Sequence, residues 1–147
     1  MMVNRLLLCQ LYFILLVSLI GCGQKWSESE KENAKHFIQS VQLVVQAHGV
    51  SNKAAMSRAD FDEMLSLYKN ALREAAIVTD EVLAKAHPEL PKNYRLYFQK
   101  GMELRISSWA NSRPYEEIQG SALMDSWGDW YEQNQANIKI PRRKLLN

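Results

Sequence analysis

Histidines have the widest chemistry of the residues in this chain, because imidazole ligates haem and metal ions and exchanges protons near neutral pH. His36, His48 and His87 are scattered along the sequence. Covalent haem requires Cys-x-x-Cys-His, which is missing, and a di-iron bundle requires Glu-x-x-His pairs, whereas Glu32 and His36 are spaced by four. Non-covalent haem between His48 and Met64 stays open as an alternative. The simpler interpretation of His48 is a residue at a helix end, so no metal site or cofactor is predicted.

Neighbouring carboxylates form three clusters, Asp60-Asp62-Glu63, Asp80-Glu81 and Glu116-Glu117. Two carboxylates perform acid–base catalysis when a fold brings them together and displaces their pKa values. Two of the clusters fall in first turns of predicted helices, where negative side chains stabilise the positive end of the helix dipole. The sequence has no Gly-x-Ser-x-Gly elbow, phosphate-binding loop or Cys–His nucleophile pair. We therefore predict no catalytic residues and no enzyme.

The thiol of Cys22 follows an apolar run. Arg5 is the single positive charge before this run, which extends from Leu6 to Ile20 over about 15 residues. A bilayer-spanning helix needs roughly 20 residues, so the run has instead the length of the hydrophobic region in a secretory signal. An uncleaved signal anchor with an incidental cysteine is the alternative interpretation.

The segment Leu19-Ile20-Gly21-Cys22 resembles the lipobox of bacterial lipoproteins, in which an aliphatic residue and a small residue precede the cysteine. The resemblance implies that the Cys22 thiol receives a diacylglyceryl group and that the chain is cleaved between Gly21 and Cys22. Each buried acyl methylene contributes about 0.8 kcal/mol, so two or three acyl chains anchor a protein stably. Gly23 after the cysteine, rather than Asp, implies sorting to the outer membrane, facing the periplasm, in a Gram-negative host.

The length and composition of the sequence after the leader predict one globular domain. The chain has 147 residues, of which 47% are apolar and 23% charged. Six glycines and four prolines encode few turns, which favours long helices over a many-stranded sheet. Residues 22–140 carry 14 basic and 16 acidic side chains, a net charge of −2, which argues against a nucleic-acid partner.

Apolar side chains recur every three or four residues in the first half of the chain and predict two helices. The first begins with a capping box at Ser27 or Ser29 and has Gly49 as its C-cap. The second begins with a capping box at Ser57 and ends before Pro88. Its apolar stripe, which we expect in the core, comprises Phe61, Leu65, Tyr68, Leu72, Ala75, Thr79, Val82 and Ala86.

Two more helices are predicted in the second half of the chain. The turn 87–91 precedes a helix from Tyr94 to Trp109, and Pro114 suits the first turn of the last helix. The apolar face of that last helix comprises Tyr115, Ile118, Ala122, Leu123, Trp127 and Trp130. Four helices with short connections predict an all-α fold, an antiparallel bundle of about four helices.

An aromatic cluster stands out in the last predicted helix. Trp127, Trp130 and Tyr131 are spaced i, i+3 and i+4 and therefore share one helical face. Core packing is the simpler interpretation. The alternative is an exposed platform that binds a partner protein or a glycan, because Trp and Tyr are enriched in interface hot spots. Gly128 inside a helix costs about 1 kcal/mol relative to Ala and indicates a close backbone approach or a kink.

A basic run, Arg142, Arg143 and Lys144, follows Pro141 near the end of the sequence. Pro141 stops any arriving helix, so we expect an extended tail. Its charges either keep the tail solvated or bind anionic headgroups or an acidic partner, at about 1 kcal/mol per basic residue near a charged membrane.

These observations predict a signal peptide (1–21), a lipidated tether (22–29), a helical bundle (30–134) and a basic tail (135–147). The predicted function is that of a membrane-anchored envelope lipoprotein whose helical domain binds or positions another envelope protein without catalysis. The alternatives are a small-molecule or haem-binding bundle and a carboxylate-based envelope enzyme. An internal cavity with converging polar groups would favour these alternatives.

Overall fold

The computed structural model describes residues 25–141, and every regular element in that range is helical, as the sequence predicts. Five helices occur there, the fourth of them continuous over an α-helical turn, a π-helical stretch and a longer α-helix. In chain order the elements are α1 (Glu28–Ser51), α2 (Arg58–Ile77), α3 (Asp80–Ala86), α4 (Leu90–Asn93, then Tyr94–Gln99 as π-helix, then Lys100–Asn111), α5 (Pro114–Asn134) and a 3₁₀ turn (Gln135–Asn137).

The long helices pack as two hairpins. α1 packs along α2 and α4 along α5, and the short connection within each pair makes its two helices antiparallel. α2 also contacts α4, and the short α3 touches α1 and the first turn of α4. The predicted bundle of about four helices thus agrees with the structure, with α3 as an additional element. Between residues 25 and 141 no helix is both long and apolar enough to cross a membrane.

The core between the hairpins is rich in aromatic side chains. Phe37, Tyr68, Tyr94, Phe98 and Trp127 are each at most 5% exposed. The rings of Tyr94 and Phe98 stack with their centres 5.0 Å apart. The Tyr94 hydroxyl lies 2.7 Å from Ser40 Oγ, so this buried phenol has a hydrogen-bond partner. Other fully buried side chains are Val78, Leu83, Leu90 and Met102.

Both predicted capping boxes form. The Ser27 hydroxyl accepts the backbone N–H of Glu30 at 3.1 Å, and the Glu30 carboxylate accepts the N–H of Ser27 at 2.7 Å. Ser57 and Asp60 form the same pair at the start of α2, with distances of 3.1 and 2.8 Å. Gly49, expected as the C-cap of the first helix, lies instead within α1, which continues to Ser51.

The second predicted helix is broken at Val78 and Thr79, which the heptad pattern did not indicate. Val78 is extended (φ −67°, ψ 126°), and the Thr79 side chain accepts the N–H of Val82 as the N-cap of α3. Asn33 of α1 stabilises the break, because its amide donates to the carbonyl of Ile77 and accepts the N–H of Thr79, both at 2.9 Å. Val82 is buried, and its position keeps the helical spacing of the apolar stripe across the break. The sequence pattern of the second predicted helix therefore looked continuous.

Arg95 of α4 completes the hydrogen bonding at this break. Its guanidinium donates to the carbonyls of Ala75, at 3.1 Å, and of Val78. It also pairs with the carboxylate of Asp80 at 2.9 Å. Carbonyls at the end of a helix need such partners. Side chains from α1 and α4 therefore replace the helical hydrogen bonds that α2 loses.

The predicted core stripe of the second helix is wrong in part, and so is the length of the turn that follows it. Thr79 is exposed, and Leu72 is only partly buried, because the fully buried line of α2 runs through Tyr68, Ala71 and Ala75. The turn predicted at 87–91 is shorter, since α4 already begins at Leu90.

The folded part extends beyond residues 30–134 at both ends. Trp26 packs against the core before α1 begins, within the segment expected to be tether. Ile138 and Ile140 pack against the core after α5, and the N–H of Lys139 donates to the carbonyl of Ala86 at 3.0 Å. Residues 135–141, expected in the tail, are therefore part of the fold.

Candidate functional site

The residues proposed for lipid attachment and for charge lie outside the described range of 25–141. They are Gly21 and Cys22 before it, and Arg142, Arg143 and Lys144 after it. Their predicted roles stay predictions.

Trp127 lies in the aromatic core. Its ring centre is 5.1 Å from that of Phe98, 5.7 Å from that of Tyr94 and 6.5 Å from that of Phe37, and the side chain is 5% exposed. Core packing, the simpler interpretation of this residue, agrees with the structure. Trp127 has no exposed face for a partner.

Trp130 and Tyr131 are half-buried at the edge of that core. Their ring centres lie 5.6 and 5.3 Å from that of Trp127, and the His87 ring covers Trp130 at 5.6 Å. Gly128, which lies between Trp127 and Trp130 in the sequence, is exposed, and a Cβ added there would meet no atom within 4 Å. The close backbone approach expected at Gly128 is therefore wrong.

The close approach occurs instead between Gly101 of α4 and Gly120 of α5. A Cβ on Gly120 would lie 2.8 Å from the Gly101 carbonyl oxygen and 2.9 Å from the backbone nitrogen of Arg105. A Cβ on Gly101 would lie 2.9 Å from Met124 Cγ. Because both residues lack a side chain, the two helix backbones touch here, and α5 lies directly against Arg105.

Arg105 is the centre of a hydrogen-bonded chain through the bundle, which we call the polar relay. Its Nη1 donates to the Tyr68 hydroxyl at 2.7 Å, and its Nε donates to Glu117 Oε1 at 3.3 Å. The Tyr68 hydroxyl lies 3.1 Å from His48 Nε2, and the Ser108 hydroxyl lies 2.7 Å from Glu117 Oε2. The relay thus takes His48 from α1, Tyr68 from α2, Arg105 and Ser108 from α4, and Glu117 from α5.

The hydrogen bonds of the relay suit a neutral His48. A guanidinium only donates, so the Tyr68 oxygen accepts from Arg105 and keeps its own proton available for His48 Nε2. In the tautomer with its proton on Nδ1, His48 accepts the Tyr68 proton. Burial, followed by the positive charge of Arg105, lowers the pKa of His48, which agrees with a neutral ring. Burial also raises the pKa of Tyr68 to about 12.

Both residues of the haem alternative have other contacts in the structure. The Nε2 atom of His48 would have to give up its bond to the Tyr68 hydroxyl to ligate iron. Met64, the other residue considered, is 4% exposed and packs in the core. Among residues 25–141 no three His, Cys, Asp or Glu side chains converge as metal ligands would.

Arg105 also packs between two aromatic rings. Its guanidinium carbon lies 5.0 Å from the ring centre of Tyr68 and 4.9 Å from that of Trp109, within the range of cation–π attraction. Arg105 was not among the residues predicted to be functional. A usable signal existed, since an arginine at 105 falls on the helical spacing of the buried side chains Phe98 and Met102 and of Trp109.

Beside the relay lies a surface depression of about 400 Å³ at the turn between α4 and α5. Phe61, Trp109 and Pro114 give it apolar walls, and Glu117 lines it as well. Ser112, in the left-handed region at φ 53°, makes the turn tight, and Pro114 starts α5 as predicted. A second depression in the described part, of about 430 Å³, lies between α1 and α2.

Three side chains of the predicted apolar face of α5 are exposed, Tyr115, Ile118 and Ala122, and the first two directly follow Pro114 and Glu117, which line the first depression. Tyr115 is 70% and Ile118 67% exposed, because α5 turns Gly120, Met124 and Trp127 toward the core instead. Between residues 25 and 141 no other large apolar side chain is as exposed. We call Tyr115, Ile118 and the apolar walls of the depression (Phe61, Trp109 and Pro114) the corner surface.

Comparison of the chain with models of protein families, with curated proteins and with solved structures found no match.

Proposed function

We propose that the chain is an envelope lipoprotein, anchored through a lipid on Cys22, and that its helical domain binds another envelope protein without catalysis. The leader and the resemblance of Leu19–Cys22 to a lipobox support the anchor. In a Gram-negative host, Gly23 favours the outer membrane with the domain facing the periplasm. The observation that carries the binding role is the corner surface, where Tyr115 and Ile118 are about two-thirds exposed.

The corner surface has the chemistry of a protein-binding site. An exposed aromatic and an exposed aliphatic side chain stand beside an apolar depression, and tyrosine is enriched in interface hot spots. Burying what Tyr115 and Ile118 now expose would contribute about 2–4 kcal/mol in total. A partner that fills the depression would add contacts with Phe61 and Trp109.

The corner surface is also held rigidly, which favours binding. The contact between Gly101 and Gly120 fixes the distance between α4 and α5, and the bonds of Arg105 to Tyr68 and Glu117 tie both helices to α2. A preorganised surface loses little conformational entropy when a partner binds.

Binding rather than catalysis is favoured by the state of the nearest carboxylates. Glu116 pairs with Arg113 at 2.9 Å, which lowers the pKa of Glu116, and Glu117 pairs with Arg105. A general acid must instead hold its proton near neutral pH. Each member of the Glu116-Glu117 cluster is bonded to its own arginine, as a structural carboxylate is.

Site-specific photo-crosslinking in envelope membranes tests the binding role. A photoreactive residue at position 115 should give a discrete adduct with another protein. The matched control is position 133, an exposed glutamine on the same face of α5 five turns further along. Ile118→Asp should remove the adduct without unfolding the domain, since substitutions of exposed side chains usually change stability by no more than about 0.5 kcal/mol. Equal adducts from both positions, or none from position 115, would contradict the proposal.

Metabolic labelling with palmitate tests the anchor separately. The wild-type protein should take up label, and Cys22→Ala should abolish the label and leave the precursor uncleaved. An unlabelled wild-type protein would exclude the lipoprotein part of the proposal and leave the binding role to be judged on crosslinking alone.

A further inference from the structure

The outward side of α5 carries a continuous row of exposed side chains. Tyr115 and Ile118 of the corner surface begin the row, and the later members follow at alternating spacings of four and three, which keeps them on one side of the helix. These later members, all exposed, are Ala122, Asp125, Asp129 and Glu132. From Tyr115 to Glu132 the row is about 26 Å long, at a rise of about 1.5 Å per residue. We call this row the outer face.

The outer face is apolar at one end and acidic at the other. Its first three residues, next to the turn between α4 and α5, are apolar, and its last three carry carboxylates. α5 as a whole contains five carboxylates and no basic side chain. Glu116 and Glu117 are paired with arginines, but the three carboxylates of the outer face form no ion pair within residues 25–141. The acidic half of the outer face is therefore open to a cation from another molecule.

Charges on the neighbouring elements do not neutralise the acidic half. The exposed lysines at that end of the bundle are Lys25 before α1, Lys92 in α4 and Lys139 after α5. Glu81 in α3 and Glu89 before α4 add exposed carboxylates there. With the three carboxylates of the outer face, this makes five exposed carboxylates against three exposed lysines in the described part of that end. The surroundings of the acidic half thus stay negative.

Gly128 provides an independent observation on the same side of α5. It lies three residues after Asp125 and four before Glu132, so it borders the acidic half. Glycine destabilises a helix interior relative to alanine, yet Gly128 is exposed, and a Cβ there would meet no atom within 4 Å. No contact within residues 25–141 requires a glycine at this position. A close backbone approach at Gly128 would have to come from another molecule.

We propose that the outer face binds a basic amphipathic helix of the partner protein. The proposal deepens the proposed function and rests on it. Side chains that recur every three and four residues on one helix pack against a second helix at a shallow angle, and a helix of about 18 residues spans the outer face. Its apolar side chains contact the corner surface, and its Lys or Arg side chains contact the acidic half. The missing side chain at Gly128 lets the two helices come close together.

Charge distinguishes this partner from other occupants of the outer face. In either orientation a second copy of α5 would bring three more carboxylates and no cation to the contact. An anionic lipid surface or a nucleic acid would be repelled by the acidic half as well. A basic helix instead meets complementary charge where the apolar contacts end.

Photo-crosslinking of the full-length protein in envelope membranes tests the position of the partner. A photoreactive residue at position 125 should capture the protein that position 115 captures. Position 126 is the matched control, because Ser126 is exposed and adjacent but about 100° further around the helix, in one row with the control position 133. Its yield should be several times lower than that of position 125. Mass spectrometry of the adduct from position 125 should identify a segment with Lys or Arg and with apolar residues at helical spacing.

Two pairs of variants test the chemistry, with the yield from position 115 as the readout. Asp129→Lys should lower this yield about fivefold. Glu103→Lys makes the same change of charge on α4, about 200° around that helix from Gly101, and should leave the yield unchanged. Gly128→Gln should lower the yield to a similar degree because its side chain keeps the partner helix away, whereas Ser126→Gln should not.

Urea unfolding of each variant on residues 25–147 separates lost binding from lost folding. The packing contacts of the described core lie within 25–141, so this chain keeps its fold. Gly128→Gln should be at least as stable as the wild type, since glutamine is a better helix former than glycine. A fall in yield that a lower stability accounts for would therefore overturn the role of Gly128.

The outcomes separate this proposal from the proposed function. Equal effects of Asp129→Lys and Glu103→Lys, or of Gly128→Gln and Ser126→Gln, would overturn the basic helix and leave the binding role in place. An acidic crosslinked segment, or an adduct between two copies of this chain, would also overturn it. No adduct from position 115 would overturn both proposals.

Discussion

Replacing Gly120 by Ala places one methyl group where α4 and α5 touch. The new Cβ would lie 2.8 Å from the Gly101 carbonyl oxygen and 2.9 Å from the backbone nitrogen of Arg105, whereas ordinary contacts begin at 3.4 Å. These two neighbours are backbone atoms and cannot rotate away, and Arg105 Cγ, a side-chain atom, would lie closer still at 2.7 Å. The helices must therefore separate by about 0.6 Å along this contact, and the bonds from Arg105 to Glu117 lengthen with them.

The magnitude follows from two opposing effects. Overpacking of a tight contact costs about 1–3 kcal/mol, and Ala stabilises a helix interior by about 1 kcal/mol relative to Gly. Gly128→Ala, on the same helix, gains the second effect without the first, because a Cβ there meets nothing within 4 Å. The two variants should therefore differ by about 1–3 kcal/mol in free energy of unfolding, with Gly128→Ala above the wild type.

Urea unfolding followed by circular dichroism measures this difference on the chain of residues 25–147. Gly49→Ala, also without a neighbour within 4 Å, is a second control and should stabilise α1. Gly101→Ala should cost less than Gly120→Ala, because the nearest backbone atom to its new Cβ, the Gly120 carbonyl oxygen, is 3.1 Å away rather than 2.8 Å, and the closer atoms belong to the flexible side chain of Met124. If Gly120→Ala were as stable as Gly128→Ala, the glycine contact would not hold α4 against α5, and the rigidity of the corner surface would lose its basis.

Two further predictions concern the break after α2 and the polar relay. Asn33→Ala removes both hydrogen bonds to the break and should lower the free energy of unfolding by about 1–2 kcal/mol, with faster exchange of the Thr79 amide. Gln39→Ala, at an exposed position of α1, should change neither the free energy of unfolding nor the exchange of the Thr79 amide. His48 has a pKa below 6.5 in the folded state, so the unfolded chain binds its proton more tightly, and stability should fall as pH drops through 6.5. The fall should level off once His48 is protonated in the folded chain as well. Urea midpoints between pH 8 and 5 should show this decline in the wild type and a smaller one in His48→Gln; parallel curves would refute a neutral, buried His48.

Features set by neighbouring residues could be predicted from the sequence. The capping boxes at Ser27 and Ser57 and the start of α5 at Pro114 depend on side chains within four residues of the backbone groups they affect. The all-α class follows from the same local periodicity.

Features set by distant partners could not be predicted. The break at Thr79 depends on Asn33, which is 46 residues away in sequence. The predicted core-facing side of α5 was wrong. The closest contact of this helix is made by Gly120, which has no side chain and therefore does not show in an apolar pattern. Tyr115 and Ile118 fit the helical period equally well, and only the position of α4 decides that they stay exposed.

The length of α5 separates the corner surface from the end of the described chain. Tyr115 lies in the first turn of α5, whereas Ile138 packs against the core after its last turn and Lys139 bonds to Ala86 of α3. α5 contains 21 residues, which at a rise of about 1.5 Å each amount to roughly 30 Å. A label attached to the exposed Lys139 therefore lies about one helix length from Tyr115 and would leave the corner surface accessible in a binding assay.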